Sequence, residues 1–219
     1  MLDVVDLGTK KGAAIVEFLK KGRLYFRTPK MSRENCLGID RHSKYRRVVE
    51  KAGFQYQDSD LLDDEVLKNL PEANYYLAWH FLEHLPNKRL SHKLVKACLQ
   101  KAKKGCWFRL PSFQQDKKTG EGALREHGLR FTWTHWHGHP SHYLVEDCQK
   151  AIKAWAKKYG QKPKVVVKPA GYVKTTGNRR VVPIDAPIDT VTYAKSMGAK
   201  PNVRFNPPIV DAWEVLVTL

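Results

Sequence analysis

The chain has 219 residues, and its 42% hydrophobic content is enough to bury a substantial core in one domain. Its 39 lysines and arginines outnumber its 22 acidic residues, and the net charge of +17 favours a polyanionic partner over a solvated lysine surface. We expect no membrane span, since no apolar run approaches about 20 residues. The four scattered cysteines and an amino terminus without a signal peptide indicate a reducing compartment, the cytoplasm.

Short apolar runs alternate with amphipathic stretches along most of the chain. The predicted strands are residues 3–7, 36–40, 54–57, 75–79, 106–110, 165–167 and 213–219. The predicted helices are residues 13–21, 44–52, 65–70, 88–104 and 144–159, with Gly22, Gly53 and Gly105 expected to end three of them. The alternation predicts an α/β fold: a Rossmann-like, doubly wound sheet, mostly parallel with an antiparallel last strand and helices on both faces.

Two segments interrupt this alternation within the single domain predicted for residues 1–219. Residues 111–142 are rich in histidine and tryptophan and follow the fifth strand, so we expect them on the substrate side of the sheet. Residues 169–210 are basic and proline-rich, and we interpret them as an insertion before the last strand. Within this insertion, Thr176-Gly177-Asn178 predicts a β-hairpin between residues 172–175 and 179–182, whose basic side chains could follow a phosphate backbone.

Polar residues follow the first parallel strands at the sheet edge where open α/β sheets bind ligands. The first strand leads into Asp6-Leu7-Gly8-Thr9-Lys10-Lys11-Gly12, whose glycines allow close backbone approach before a helix amino end. Asp40 ends the second strand, where a carboxylate suits ribose hydroxyls, and Asp58-Ser59 follow the third. Each carboxylate alone is typical of a loop or cap, but together they predict a nucleotide-type cofactor site.

The first loop resembles the D-L-G-x-G-x-G motif of class I S-adenosylmethionine-dependent methyltransferases. Residues 74–87 are similar to the H-x-L-E-H-L-P element of that family's small-molecule branch, and the resemblance spans roughly residues 3–168 and the last strand. It implies S-adenosylmethionine as cofactor, bound by Asp6, Gly8, Thr9, Gly12, Asp40, Asp58, Ser59 and Trp79. A lysine, Lys10 or Lys11 depending on the alignment, replaces the family's middle glycine.

Methyl transfer needs positioning and, for a protonated acceptor, a base. His80 is the first candidate base, and His135 and His137 are further candidates in the histidine-rich segment. An extended segment would place His135, His137 and His139 on one face, a spacing that could hold zinc. Because Gly138 and Pro140 would bend this segment, we assign no metal ligand from the sequence.

The favoured function is therefore an S-adenosylmethionine-dependent methyltransferase acting on a small molecule, a glycan or a nucleic acid. The alternative is a non-catalytic nucleic-acid-binding protein on a methyltransferase scaffold, which the replaced glycine and the basic insertion motivate. Trp133, Trp136 and Tyr172 could stack bases in either case. A nicotinamide-dependent oxidoreductase is a third hypothesis, and the short two-glycine loop argues against it.

Overall fold

The computed structural model describes residues 1–194 and 197–219. Within these residues the helices are α1 (Ala13–Phe26), α2 (Arg46–Lys51), α3 (Asp64–Lys68), α4 (Lys88–Lys101), α5 (Glu121–Arg125) and α6 (Val145–Tyr159). The strands are β1 (Leu2–Leu7), β2 (Cys36–Asp40), β3 (Gln55–Asp58), β4 (Ala73–Trp79), β5 (Ala102–Pro111), β6 (Leu129–Phe131), β7 (Lys164–Thr175), β8 (Val181–Pro183) and β9 (Arg204–Thr218). Strands and helices alternate from β1 to α4, as predicted.

Seven strands form one sheet in the order β3-β2-β1-β4-β5-β9-β7. The first five are parallel neighbours, whereas β9 runs antiparallel between β5 and β7. The strand order reverses at the β1–β4 pair, the position where open sheets bind ligands. The predicted Rossmann-like class, with its antiparallel last strand, is confirmed.

Helices cover both faces of this sheet because its central strands are apolar on both sides. On one face, Ile15 and Phe18 of α1 and Val49 of α2 pack with Trp107 of β5. On the other face, α4 and α6 cover a larger core that includes the fully buried Tyr76. The two packed layers hold the carboxyl ends of β1, β2 and β4 in fixed relation.

Helix α1 continues past Gly22 to Phe26, so the prediction that Gly22 ends this helix is wrong. The last turn is held by aromatic packing: the Phe26 ring lies 5.8 Å from Phe18, and Tyr25 meets Trp107 edge-on at 5.1 Å. This tertiary packing outweighs the roughly 1 kcal/mol that a glycine costs inside a helix.

Helix α4 ends at Lys101, and β5 begins at once with Ala102, so Gly105 lies inside a strand rather than at a helix end. Gly105 is paired with Thr218 of β9. A Cβ atom at position 105 would overlap the Val217 carbonyl oxygen. The glycine is therefore explained by the close approach of β9.

The hairpin predicted around Thr176-Gly177-Asn178 is wrong. Residues 172–175 continue β7 and pair with β9, where Val173 lies opposite Ile209. Strand β8 pairs instead with β6, with Val181 opposite Phe131. Segments 111–142 and 169–210 therefore share a two-stranded sheet and a small apolar core, which local turn chemistry alone does not reveal.

Candidate active site

A cavity of about 300 Å³ opens at the carboxyl ends of β1, β2 and β4, a volume at the lower end of the range for small-molecule sites. We call it the Asp40 cavity. Its walls come from the loops that follow four parallel strands and are formed by Gly8, Lys10, Asp40, Arg41, His42, Ser59, Asp60, Leu61, Leu62, Phe81, His84, Leu85 and Pro86.

Asp40 links two loops at the mouth of this cavity. Its Oδ2 accepts a hydrogen bond from the Lys10 backbone N–H at 3.0 Å, and its Oδ1 accepts one from His42 N–H at 2.9 Å. Each carboxylate oxygen has a further lone pair for a ligand hydroxyl. The side chain is only 6% exposed, so the carboxylate is a fixed acceptor on the cavity wall.

Lys10 stands at the middle position of the first loop, between Gly8 and Gly12. Its backbone has a φ of 46°, the left-handed conformation that glycine adopts most readily. That conformation directs its N–H to Asp40, and Lys10 lines the cavity. The lysine therefore keeps the backbone geometry suited to a glycine while adding a cation to the wall. Lys11 is exposed and lines neither this cavity nor the one described below.

The rest of the first loop is packed against its neighbours. Gly8 has a φ of 70°, and a Cβ atom there would overlap the Phe81 ring. Position 8 therefore accepts only glycine unless the ring moves. Thr9 is buried against Gly38, because a Cβ atom added to Gly38 would lie only 2.6 Å from the Thr9 methyl carbon. Gly12, with a φ of 75°, starts α1. Gly8 thus faces the cavity, whereas Thr9 and Gly12 support the loop.

Asp6 lies beneath this loop and is 1% exposed. Its Oδ2 has no hydrogen-bond partner among the residues that the structure describes. Burial, with a smaller contribution from the charge of Asp40, raises the pKa of the Asp6 carboxyl from 3.8 to about 7. Buried carboxyls with strongly raised pKa values are common at functional sites, and the loop that follows Asp6 contributes Gly8 and Lys10 to the Asp40 cavity.

The remaining residues predicted for cofactor binding separate into two groups. Ser59 lines the Asp40 cavity, together with Asp60, which was not predicted, whereas Asp58 is exposed and outside the wall. Trp79 packs on Trp107 with ring centroids 4.8 Å apart. Trp79 therefore belongs to the aromatic core on the α1 face, and it does not line the Asp40 cavity.

A second cavity, of about 330 Å³, adjoins the first; we call it the tryptophan cavity. Its walls combine strand-end residues with both irregular segments: Lys10, His80, Glu83, His84, Pro111, Thr132, Trp133, Trp136, His139, Arg180, Val191 and Asp211. Lys10 and His84 line both cavities, so these two side chains stand at the boundary between the two spaces.

The histidine-rich segment does not run as an extended strand. His139 is buried on the cavity wall, whereas His135 and His137 are exposed and outside it. His137 lies 3.3 Å from Asp189 at the surface. His135, His137 and His139 do not share one face, because turns at residues 132–135 and 137–138 keep the segment from being extended. Of the predicted catalytic histidines, only His80 lines the tryptophan cavity.

Glu83, His84 and His139 form a cluster at the boundary of the two cavities, with ligand-type atoms all within 4.8 Å of one another. Burial lowers the pKa of His84 and lowers that of His139 to about 4, so both rings are neutral near pH 7. Neutral imidazoles and a carboxylate are metal ligands. Glu83 and His84 are adjacent in the recognised sequence element, but His139 is 55 residues further on, and no local pattern indicated that they meet.

The fold resembles that of known methyltransferases. A SAM-dependent methyltransferase from Archaeoglobus fulgidus superposes with a TM-score of 0.59 at 16% identity, over 100% of this chain and 86% of the other. The small RNA methyltransferase HEN1 gives 0.58 at 12% identity, over 99% of this chain and 23% of the other. Magnesium protoporphyrin IX methyltransferase from Synechocystis PCC 6803, with bound SAH, gives 0.54 at 9% identity, over 99% and 74%.

No protein-family model matches the sequence, and no curated protein matches it. The resemblance is therefore one of structure, and it assigns the chain the fold of class I S-adenosylmethionine-dependent methyltransferases. Among the described residues, no helix is both long and apolar enough to cross a membrane.

Proposed function

We propose that the protein is an S-adenosylmethionine-dependent methyltransferase. The observation that carries this proposal is the Asp40 carboxylate, fixed on the wall of a cavity that shares Lys10 and His84 with the wall of a second cavity. A methyl donor in the first space and an acceptor in the second would meet at that junction. Two adjoining spaces at a strand-order reversal suit a two-substrate transfer.

In the proposed complex the Asp40 carboxylate accepts hydrogen bonds from the ribose hydroxyls. Ser59 and Asp60 face the adenine, whereas Asp58 is too far out to line the cavity. Gly8 leaves room for the methionine portion, and Asp6, Thr9 and Gly12 support its loop from below. The sulfonium methyl would then point towards Lys10 and His84.

The proposed reaction is an in-line displacement at the methyl carbon. The acceptor atom bonds to the methyl group as the carbon–sulfur bond breaks, and S-adenosylhomocysteine leaves. Positioning contributes much of the rate in such reactions. His80, on the wall of the tryptophan cavity, is our candidate for taking the acceptor proton.

For the acceptor, we favour a nucleic acid over a small neutral molecule. Trp133 and Trp136 offer ring faces, while Arg180 and Lys10 offer cations, all on the same cavity wall. Aromatic rings stack bases, and arginine and lysine bind phosphates. The net charge of +17 supports the same choice, and one structural neighbour is a small RNA methyltransferase.

A non-catalytic nucleic-acid-binding protein was suggested by the replaced middle glycine. The left-handed backbone of Lys10 weakens that argument, because the loop keeps its shape with a lysine in place.

We also infer a reducing compartment such as the cytoplasm. Four cysteines are all buried and unpaired: Cys36, Cys98, Cys106 and Cys148.

Calorimetric titration with S-adenosylhomocysteine tests the proposal. We expect one molecule to bind per chain, because the Asp40 cavity offers a fixed ribose acceptor. NAD⁺ serves as the control ligand and should not bind, since a short two-glycine loop is not typical of nicotinamide-dependent oxidoreductases. An absence of binding heat at millimolar S-adenosylhomocysteine would eliminate the enzyme and support the scaffold alternative.

A further inference from the structure

We propose that Glu83, His84 and His139 form a binding site for one divalent transition-metal ion. Their ligand atoms lie within 4.8 Å of one another although they come from two distant parts of the chain. Bonds of about 2.0–2.2 Å at the tetrahedral angle place donor atoms about 3.3–3.6 Å apart. Binding an ion would therefore require the donor atoms to move together by up to about 1.5 Å.

The strongest indication is the state of Glu83. Its side chain is fully buried, and among the described residues neither carboxylate oxygen receives a hydrogen bond. His80 approaches one of these oxygens, with its Nδ1 3.5 Å from Oε1. Burying a carboxylate without partners is costly, and such groups are normally paired with a cation or bound to a metal. A bound ion would satisfy both oxygens of Glu83 at once.

His84 is oriented as a metal ligand. Its Nδ1 lies 2.6 Å from the carbonyl oxygen of Gly138. Because a carbonyl only accepts, Nδ1 must carry the proton, which leaves Nε2 as the nitrogen of this ring available to an ion. Metal-bound histidines commonly donate their other ring N–H to a backbone carbonyl in this way.

His139 completes the set from the opposite side. It is 7% exposed, and its Nδ1 has no hydrogen-bond partner within residues 1–194 and 197–219. The Trp136 ring packs against both imidazoles, with centroids 4.6 Å from His139 and 5.6 Å from His84. This packing restricts the two rings, so little ordering remains to be done when an ion binds.

The ligand chemistry selects the kind of ion. Two imidazoles and one carboxylate suit zinc, manganese, iron(II) or cobalt(II), whereas magnesium and calcium prefer oxygen ligands alone. Three protein ligands also leave coordination positions open towards the tryptophan cavity, as in catalytic metal sites.

The open positions give the ion a role that rests on the proposed function. An acceptor hydroxyl in the tryptophan cavity could coordinate the ion, which would lower the pKa of that hydroxyl. Its proton would pass to His80, the oxygen–methyl bond would form, and the carbon–sulfur bond of the cofactor would break. Metal binding itself does not depend on this role.

The experiment is a calorimetric and absorbance titration of the metal-free chain with CoCl₂ and ZnCl₂, and with MgCl₂ for comparison. We expect one Co²⁺ or Zn²⁺ per chain and a visible Co²⁺ absorption band, with much weaker binding of Mg²⁺. The variants His139→Ala and Glu83→Gln should each weaken Co²⁺ binding at least about 100-fold, since losing an outer hydrogen-bond partner alone costs 10–100-fold.

His135→Ala is the matched control, because it removes an exposed histidine of the same segment and should leave Co²⁺ affinity unchanged. Circular dichroism checks folding, and Glu83→Gln keeps side-chain size if the alanine variant unfolds. The site is ruled out if the folded chain binds neither ion, if Mg²⁺ binds as tightly, or if affinity survives both ligand substitutions. A parallel S-adenosylhomocysteine titration separates this outcome from failure of the methyltransferase proposal.

Discussion

The variant Asp40→Ala should bind S-adenosylhomocysteine at least about 100-fold more weakly than the native chain. Hydrogen bonds to a charged group contribute about 1.5–3 kcal/mol each, and the proposed complex has two of them to the ribose. The substitution also frees the backbone N–H groups of Lys10 and His42, which the carboxylate holds at 3.0 and 2.9 Å. Calorimetric titration measures the loss directly.

Asp58→Ala is the control for this prediction. Asp58 ends the neighbouring strand β3 but is exposed and lies outside the cavity wall, so its loss should change affinity only slightly. Equal losses in the two variants would argue against Asp40 as the ribose ligand. Unchanged affinity in a folded Asp40→Ala protein would refute the assignment.

The variant Asp6→Asn should stabilise the ligand-free protein, and more so at high pH. Burial raises the pKa of Asp6 to about 7, whereas an exposed aspartate titrates near 3.8. A raised pKa means that the protonated form is favoured by folding. In the native chain the stability that the Asp6 carboxyl contributes is therefore complete below pH 3.8 and is lost as the pH rises through 7.

Asparagine stays neutral at every pH, so the Asp6→Asn protein does not lose this stability as the pH rises. The raised pKa of Asp6 predicts that the substitution stabilises the chain by roughly 4 kcal/mol at pH 8 and by clearly less at pH 5. Urea unfolding at the two pH values measures the difference. The exposed Asp58→Asn should change stability by under about 0.5 kcal/mol at either pH. Equal stabilisation by Asp6→Asn at both pH values would contradict the raised pKa.

The two predictions belong together because both carboxyls are buried next to the first loop, Asp40 on the cavity wall and Asp6 behind it. Asp6 destabilises the empty protein, and stability lost at a site is commonly explained by function there. If Asp6 supports the loop for a cationic sulfonium ligand, its charge is useful only when the cofactor is bound. Asp40, in contrast, accepts one backbone hydrogen bond on each oxygen before any ligand arrives and keeps a lone pair on each oxygen for the ligand.

The parallel half of the fold could be predicted from the sequence because its signals are local. The run from Cys36 to Asp40 was predicted to the residue, and the other early strands within about two residues, since each is a short apolar run with a polar end. Helix ends were less predictable. Gly22 and Gly105 resemble helix stops, but α1 continues to Phe26, and Gly105 lies within β5, where the close approach of Val217 requires a glycine.

The substrate side could not be predicted, because it depends on contacts between distant segments. Strand β8 pairs with β6, about 50 residues earlier, rather than with β7, which the turn at 176–178 had suggested. The same long-range contact brings Arg180 and Trp133 to one wall. The turns of the histidine-rich segment place His139, rather than His135 or His137, beside Glu83. Alternation along a strand predicts a shared face only where the chain is extended.

A crystal structure of the chain soaked with S-adenosylhomocysteine tests the central proposal most directly. We expect the ribose hydroxyls within hydrogen-bond distance of the Asp40 carboxylate, the adenine beside Ser59 and the sulfur facing the junction at Lys10 and His84. If saturating S-adenosylhomocysteine leaves the Asp40 cavity empty or binds elsewhere, the cofactor assignment and the methyltransferase function built on it are wrong.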